Sequence, residues 1–178
     1  MSTIADLAAG QGFDCQGSCN AKDLTTRAEV RAMCAADKCQ AYGHSWACPP
    51  ACGEIDEFER TMHEYDECLV VQTVAQLEDD FDIEAMMEAE AVHKKRVDGL
   101  AAAIAREGLG ANTLVLSAGT CKLCEACTYP DAPCRFPDKR LVSMEAAGLV
   151  VSEVCDLAHI PYNHGPHTLA YSSCVLSR

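Results

Sequence analysis

The sequence predicts a single α/β domain with a small, at least partly parallel sheet and cysteine-rich metal-binding loops. Two observations lead to this class. The middle of the chain follows the order strand, long helix, strand, which is typical of a βαβ crossover unit. Apart from Cys68, the 13 cysteines of the 178-residue chain lie outside that unit, in two groups before and after it.

The crossover unit begins with a β-branched run, Cys68–Ala75, which indicates a buried strand. Apolar residues then recur at helical spacing from Asp82 to Glu107, and Thr113–Ser117 gives a second strand. We expect the two strands to be parallel neighbours with a right-handed connection. The loop that starts at Cys121 should then lie at a carboxyl end of the sheet, where open α/β sheets place their functional sites.

The flanking segments predict further elements of the same domain, 1–178, because no linker-like composition divides the chain. For residues 1–22 we expect a flexible N-terminal segment. The other predicted elements are two helices, an irregular loop, a short helix with a serine cap and a glycine stop, and a last strand: Leu24–Met33, Ile55–Glu67, Cys34–Gly53, Ser143–Gly148 and Thr168–Leu176.

Charge and hydropathy limit the partners that the protein is expected to have. Lys and Arg number 14 against 27 Asp and Glu, which gives a net charge of -13. Nucleic acids and anionic membranes attract basic surfaces, so we expect neither as a partner, and a charged partner protein should present a basic face. No apolar run is long enough to span a bilayer, and Met1–Asp6 lacks the basic start of a signal peptide. These features predict a cytoplasmic protein.

The cysteines are predicted to be metal-binding thiols rather than disulfides. The number of cysteines is odd, and a domain of this size can bury a stable core without disulfide bonds. Thiols that are kept reduced and clustered at short spacing are best explained as metal ligands, because the thiolate is the form that binds soft metals.

The strongest motif is a C-x2-C-x2-C-x6-C run after the second predicted strand. Three cysteines at intervals of three let one tight loop place thiolates on three irons of a cubane, and a fourth cysteine closes the site. A structural zinc is the alternative, although zinc usually takes two C-x2-C pairs well apart. Arg135 and Arg140 follow the run and either offset the thiolate charge or form a solvated basic turn. The ligands predicted for a 4Fe-4S cluster are Cys121, Cys124, Cys127 and Cys134.

A second metal site is predicted in the loop between the first two helices. Glycine and proline supply the sharp bends that a ligand loop needs, and Tyr42 and Trp46 either shield a cluster from water or belong to the core. Cys52 is the weakest of these ligands, and Cys15 and Cys19 are substitutes if the N-terminal segment folds back. The predicted ligands are Cys34, Cys39, Cys48 and Cys52. The roles of Cys68, Cys155 and Cys174 stay open.

Three ordered motifs carry a resemblance to a known family: C-x4-C-x2-Y-G-x2-W-x-C-P-P from Cys34, the four-cysteine run followed by R-x-P from Cys121, and S-M-E-A-x-G from Ser143. Over roughly residues 31–151 the chain resembles the cysteine-rich family of predicted metal-binding proteins, a domain of unknown function. The resemblance implies a metal held by cysteines, with an iron-sulfur centre favoured, and it implies no particular reaction.

The residues therefore predict an iron-sulfur protein with one or two 4Fe-4S clusters that transfers single electrons to or from a redox partner. Two alternatives remain at this point. One is an interaction module in which a structural zinc ion only organises the loops, and the other is an enzyme whose cluster keeps one iron open for a substrate. The motifs of nucleotide binding and of the common hydrolases do not occur in the sequence, so those mechanisms have no support.

Overall fold

The computed structural model describes residues 2–178 as one mixed five-stranded sheet with helices on both faces. Along the sheet the strand order is β1-β2-β5-β3-β4. The strands are β1 (Cys15–Asn20), β2 (Glu67–Gln76), β3 (Thr113–Ser117), β4 (Val142–Ser143) and β5 (Thr168–Ser177). The helices in these residues are α1 (Ile4–Ala9), α2 (Ala28–Ala35), α3 (Ile55–Met62), α4 (Ile83–Arg106) and α5 (Val151–Leu157).

The α/β class is confirmed, but the two strands of the crossover are not neighbours. β2 and β3 both pair antiparallel with β5, so they run in the same direction with β5 between them. Parallel pairing occurs between β3 and β4, where Leu116 lies opposite Val142. The prediction of adjacent parallel strands was wrong because β5 comes from the far end of the chain, and no local pattern indicates where a distant strand inserts. The Cys121 loop nevertheless follows the carboxyl end of β3.

Helix α4 covers one face of the sheet along the predicted segment. Asp82 caps it, since its Oδ1 accepts a hydrogen bond from the Ala85 N–H at 3.1 Å. Its buried side chains Leu100 and Ile104 pack with Val71 and Val175, and each apolar side chain buried in this way contributes about 1.5–3 kcal/mol. Among the helices of residues 2–178, none is both long and apolar enough to cross a membrane.

The opposite face is covered by α5 and by the segments around α2 and α3. Its core includes Leu24, Met62, Val70 and Leu176. Helix α5 ends close against β1 at Gly17, where an added Cβ would overlap the Ala158 carbonyl. Glycine at this position therefore allows the helix end and the edge strand to meet.

The N-terminal segment contains regular structure in place of the flexible chain that we expected. Helix α1 begins with a capping box, in which Thr3 N–H donates to Asp6 at 2.9 Å and Asp6 N–H donates to Thr3 Oγ1 at 3.1 Å. Strand β1 pairs antiparallel with β2, with Cys19 opposite Cys68. β1 has the sequence Cys-Gln-Gly-Ser-Cys-Asn, which lacks β-branched residues and so gave no strand signal.

Three other predicted boundaries change. The helix predicted from Leu24 begins at Ala28, because Thr26 forms a bridge with Leu149. The helix predicted from Ile55 to Glu67 ends at Met62, and its last predicted residue belongs to β2. The third change is at the Ser143 segment, which borders the candidate site.

Ser143 belongs to β4, and a hydrogen-bonded turn replaces the short helix predicted to follow it. The expected cap is present, since the Ser143 hydroxyl accepts from the Ala146 N–H at 3.1 Å. The expected stop is also present, because Gly148 has a φ of 92° and a Cβ there would approach Ile55 at 3.0 Å. The local signals were therefore correct, but the segment between them is too short to form a helix.

Candidate metal centre

The four cysteines of the C-x2-C-x2-C-x6-C run line one cavity of about 290 Å³ beyond the carboxyl end of β3. The structure brings them together with a fifth cysteine, Cys39, from the N-terminal loop. This volume lies near the lower end of small-ligand sites, roughly 300–1,000 Å³. The cavity-lining cysteines are Cys39, Cys121, Cys124, Cys127 and Cys134.

Hydrogen bonds to the main chain hold the loop around this cavity. The Thr128 hydroxyl donates to the Pro133 carbonyl at 2.8 Å, and the Ala132 N–H donates to the Thr128 carbonyl at 2.9 Å. Arg135 Nη1 donates to the Ala126 carbonyl at 2.8 Å, which joins the two ends of the loop. The loop therefore keeps its cysteines on one side without help from a regular element.

Cys127 has the environment of a thiolate. Partial burial would raise the pKa of its thiol, but hydrogen bonds to the sulfur from the backbone N–H groups of Tyr129, Trp46 and Thr128 and from the Ser45 hydroxyl lower the pKa below its ordinary value. Backbone N–H groups directed at a cysteine sulfur stabilise the anion and tune any metal that it binds. Two of these donors, on Trp46 and Ser45, come from the N-terminal loop.

A second cavity, of about 220 Å³, adjoins the first and is lined by Cys34, Cys39 and Cys48. Tyr42 and Glu145 are also part of its wall. Burial raises the pKa of Cys34, and it raises the pKa of Cys48 to about 11, with the neighbouring thiols adding to both shifts. Such thiols are protonated near neutral pH, and a metal ion would have to displace their protons in order to bind.

Cys52, the fourth predicted ligand of the N-terminal loop, is not part of that cavity wall. Its sulfur accepts a hydrogen bond from Arg31 Nη2 at 3.7 Å and lies 3.9 Å from the Ala146 carbonyl. Arg31 also donates to the Gly53 and Ala146 carbonyls at 2.7 and 2.8 Å. Cys52 therefore sits where Arg31 joins the end of the N-terminal loop to the Ser143 turn.

Trp46 joins the two cysteine loops. Its Nε1–H donates to the Ala132 carbonyl at 3.0 Å, and its ring meets the Tyr129 ring edge-on with centroids 4.9 Å apart. The indole is half-buried between the loops rather than in the main core. The two cysteine sets, which we treated as separate motifs in the sequence, form one continuous region.

Basic side chains border this region. Arg140 lines the larger cavity, and its Nε is buried without a hydrogen-bond partner in the described structure. Lys94 of α4 donates to the carbonyls of Ala118 and Thr120 at 2.8 and 2.6 Å, directly before Cys121. Burial lowers the pKa of Lys94, and its ion pair with Glu90, at 3.7 Å, opposes that shift. Sequence reasoning missed Lys94 as a site residue, because only the fold brings α4 to this loop.

The remaining cysteines belong to the core. On the face opposite α4, the thiols of Cys19, Cys68 and Cys174 lie side by side on β1, β2 and β5, and the hydrogen bonds between them and their burial raise the pKa of Cys19 and Cys68. Cys15 and Cys155 pack against the same apolar cluster. None of these five thiols lines either cavity in residues 2–178.

The cysteines surround the two cavities without converging on one point. Within residues 2–178, no three His, Cys, Asp or Glu side chains come close enough to hold a single metal ion. Four ligands of one zinc would lie about 2.3 Å from a common centre, whereas ligands of a cubane bind separate irons.

Fold and site together define an α/β protein whose chemistry-bearing region is a pair of adjoining, cysteine-lined cavities at one edge of the sheet. Comparison with known families agrees with this description. Residues 18–177 match the family model described as Predicted metal-binding protein (DUF2284), and the chain belongs to that family. The resemblance stated from the motifs is thereby confirmed, and so is metal binding as the family's predicted property. Neither a curated protein nor a solved structure gives a significant match.

Proposed function

We propose that the protein is an iron-sulfur protein that transfers single electrons, with a 4Fe-4S cluster in the cavity lined by Cys121, Cys124, Cys127 and Cys134. The observation that carries this proposal is the set of four loop thiols around a common cavity. When bound, such a cluster supplies a one-electron redox couple.

The residues around the cavity would serve the cluster in three ways. The N–H donors to Cys127 and the nearby Arg140 offset anionic charge, which raises a reduction potential. Trp46 and Tyr129 restrict access of water from the N-terminal loop. Lys94 holds the carbonyls that precede Cys121 and so fixes where the ligand loop begins.

The smaller cavity supports a second cluster. Cys34 and Cys48 belong to it alone, while Cys39 lines both cavities. A shared wall brings two redox centres close to each other, which suits electron transfer between them.

The electron partner proposed for this centre is a protein with a basic face. The chain carries a net charge of -13, and all 13 cysteines are free thiols, as expected in a reducing compartment. We therefore place the proposed activity in the cytoplasm.

Metal analysis of protein purified without oxygen tests the proposal. We expect brown protein with iron and acid-labile sulfide in equal amounts, and Cys124→Ser should remove about half of the iron if each cavity holds one cluster. Cys155→Ser is the matched control, because Cys155 is a buried core thiol far from both loops in sequence. Colourless wild-type protein with stoichiometric zinc and no sulfide would contradict the proposal and favour a zinc-stapled module.

A further inference from the structure

Glu145 is one of the residues that line the smaller cavity, and one oxygen of its carboxylate lacks a hydrogen-bond partner. Glu145 lines that cavity with Cys34, Cys39 and Cys48. Its Oε2 is fully buried and has no hydrogen-bond partner in residues 2–178. A buried polar atom without a partner destabilises the fold, and a charged one does so more strongly. Something that the carboxylate can bind is therefore expected at this position.

Hydrogen bonds fix the turn that carries Glu145 beside the smaller cavity. Ser143 Oγ accepts from the Ala146 N–H at 3.1 Å, and the Glu145 carbonyl accepts from the Gly148 N–H at 2.9 Å. Arg31 donates to the Ala146 carbonyl at 2.8 Å and fixes the turn against the N-terminal loop. The S-M-E-A-x-G motif thus positions one carboxylate beside three thiols.

Arg31, whose side chain reaches the same turn, makes its hydrogen bonds to other groups than this carboxylate. The hydrogen bonds of Arg31 go to the Gly53 and Ala146 carbonyls and to the Cys52 sulfur. The hydrogen bond from Arg31 holds Cys52 at a position outside the wall of the smaller cavity. The smaller cavity consequently has three thiols and a carboxylate as its available ligands, and a cation is the partner that both kinds of ligand share.

We propose that Glu145, and not Cys52, is the fourth ligand of the metal centre in the smaller cavity, completing a set with Cys34, Cys39 and Cys48. The inference rests on the proposed function for the presence of a cluster, but the ligand set is a separate claim. A carboxylate is a harder and more readily exchanged ligand than a thiolate, so this centre would contain one iron that differs from the other three.

Matched variants of the whole protein test the ligand set. Glu145→Gln keeps the shape of the side chain but removes its charge, and we expect it to lose about half of the bound metal, as Cys48→Ser should. Cys52→Ser should retain the full metal content. Glu145→Cys supplies a thiolate at the same position, so it should retain the metal and shift the electron paramagnetic resonance spectrum of the reduced protein. Circular dichroism of each variant checks that the fold survives.

Two results would overturn the ligand set: full metal content in folded Glu145→Gln, or the loss of about half of the metal in folded Cys52→Ser. If Glu145→Gln does not fold, Glu145→Cys decides, because a spectrum identical to that of the wild type means that position 145 is not a ligand. The proposed function fails separately, through the absence of sulfide in the wild type.

Discussion

At the scale of single residues, cysteine has two roles in this protein. Burial and the neighbouring groups distinguish a core cysteine from a loop cysteine. Cys68 and Cys174 are fully buried in the apolar core, so they behave as small hydrophobic residues. Cys127 is exposed, and N–H donors are directed at its sulfur. The spacing of the last four loop cysteines indicated this difference, whereas the core cysteines are isolated in sequence and gave no signal of their role.

His93 is the residue whose charge state should govern stability in mild acid. It is fully buried on the face of α4 that packs on the sheet, with Nδ1 2.9 Å from Thr73 Oγ1 and Nε2 2.8 Å from Ser173 Oγ. Burial, with Lys94 and Arg96 nearby, lowers its pKa to about 4. In the unfolded chain the imidazole binds a proton near pH 6.5, whereas in the folded chain it stays neutral until the pH approaches 4. The free energy of unfolding is therefore highest above pH 6.5 and decreases as the pH falls towards 4.

The measurement is the free energy of unfolding of the wild type and of His93→Gln at pH 6.5 and pH 5. We expect the wild type to lose about 2 kcal/mol more than the variant over this interval, since one pKa unit corresponds to about 1.4 kcal/mol. Parallel pH dependence in the two proteins would mean that His93 is not the titrating group.

At the scale of elements, the parts with strong local patterns were predictable and those defined by distant partners were not. The sequence predicted α4, β2 and β3 to within a residue or so because a long amphipathic helix and β-branched runs are local signals. The insertion of β5 between β2 and β3, and the pairing of β1, depend on contacts across the whole chain. The same limit applies to the site, because Lys94 and Glu145 reach the cysteines only through the folded arrangement.

Helix α4 should stabilise the cysteine loop through one side chain. Lys94→Met removes two charge-assisted hydrogen bonds to the Ala118 and Thr120 carbonyls, each worth about 1.5–3 kcal/mol. We expect the melting temperature to fall by several degrees and iron to be lost faster to a chelator. The control is Lys95→Met on the exposed side of the same helix, which should change stability by less than about 0.5 kcal/mol. Equal melting temperatures of the two variants would show that Lys94 does not support the loop.

At the scale of the whole molecule, the fold places an acidic and partly apolar surface at the same edge as the cysteines. β2 and β3 run in the same direction, so the start of α4 and the start of the Cys121 loop both follow carboxyl ends at one edge. Gly119, between β3 and Cys121, lies close to α4, since a Cβ added at Gly119 would be 3.3 Å from Glu90 Oε1. Phe81 and Ile83 are 86 % and 66 % exposed at this edge, among acidic residues. This is the surface that a basic redox partner would approach.

The charge on this surface predicts how the reduced protein exchanges electrons. A cationic acceptor such as hexaammineruthenium(III) should oxidise it at a rate that falls as salt is added, because ions screen the attraction within about 10 Å at 0.1 M. The double variant Glu84→Gln/Glu88→Gln should weaken this salt dependence, since both side chains are exposed on the first turns of α4. Glu67→Gln/Glu107→Gln removes the same charge at the opposite edge of the sheet, and it should leave more of the salt dependence in place. If the two double variants reduce it equally, net charge rather than this surface controls the encounter, and the proposed docking face is wrong.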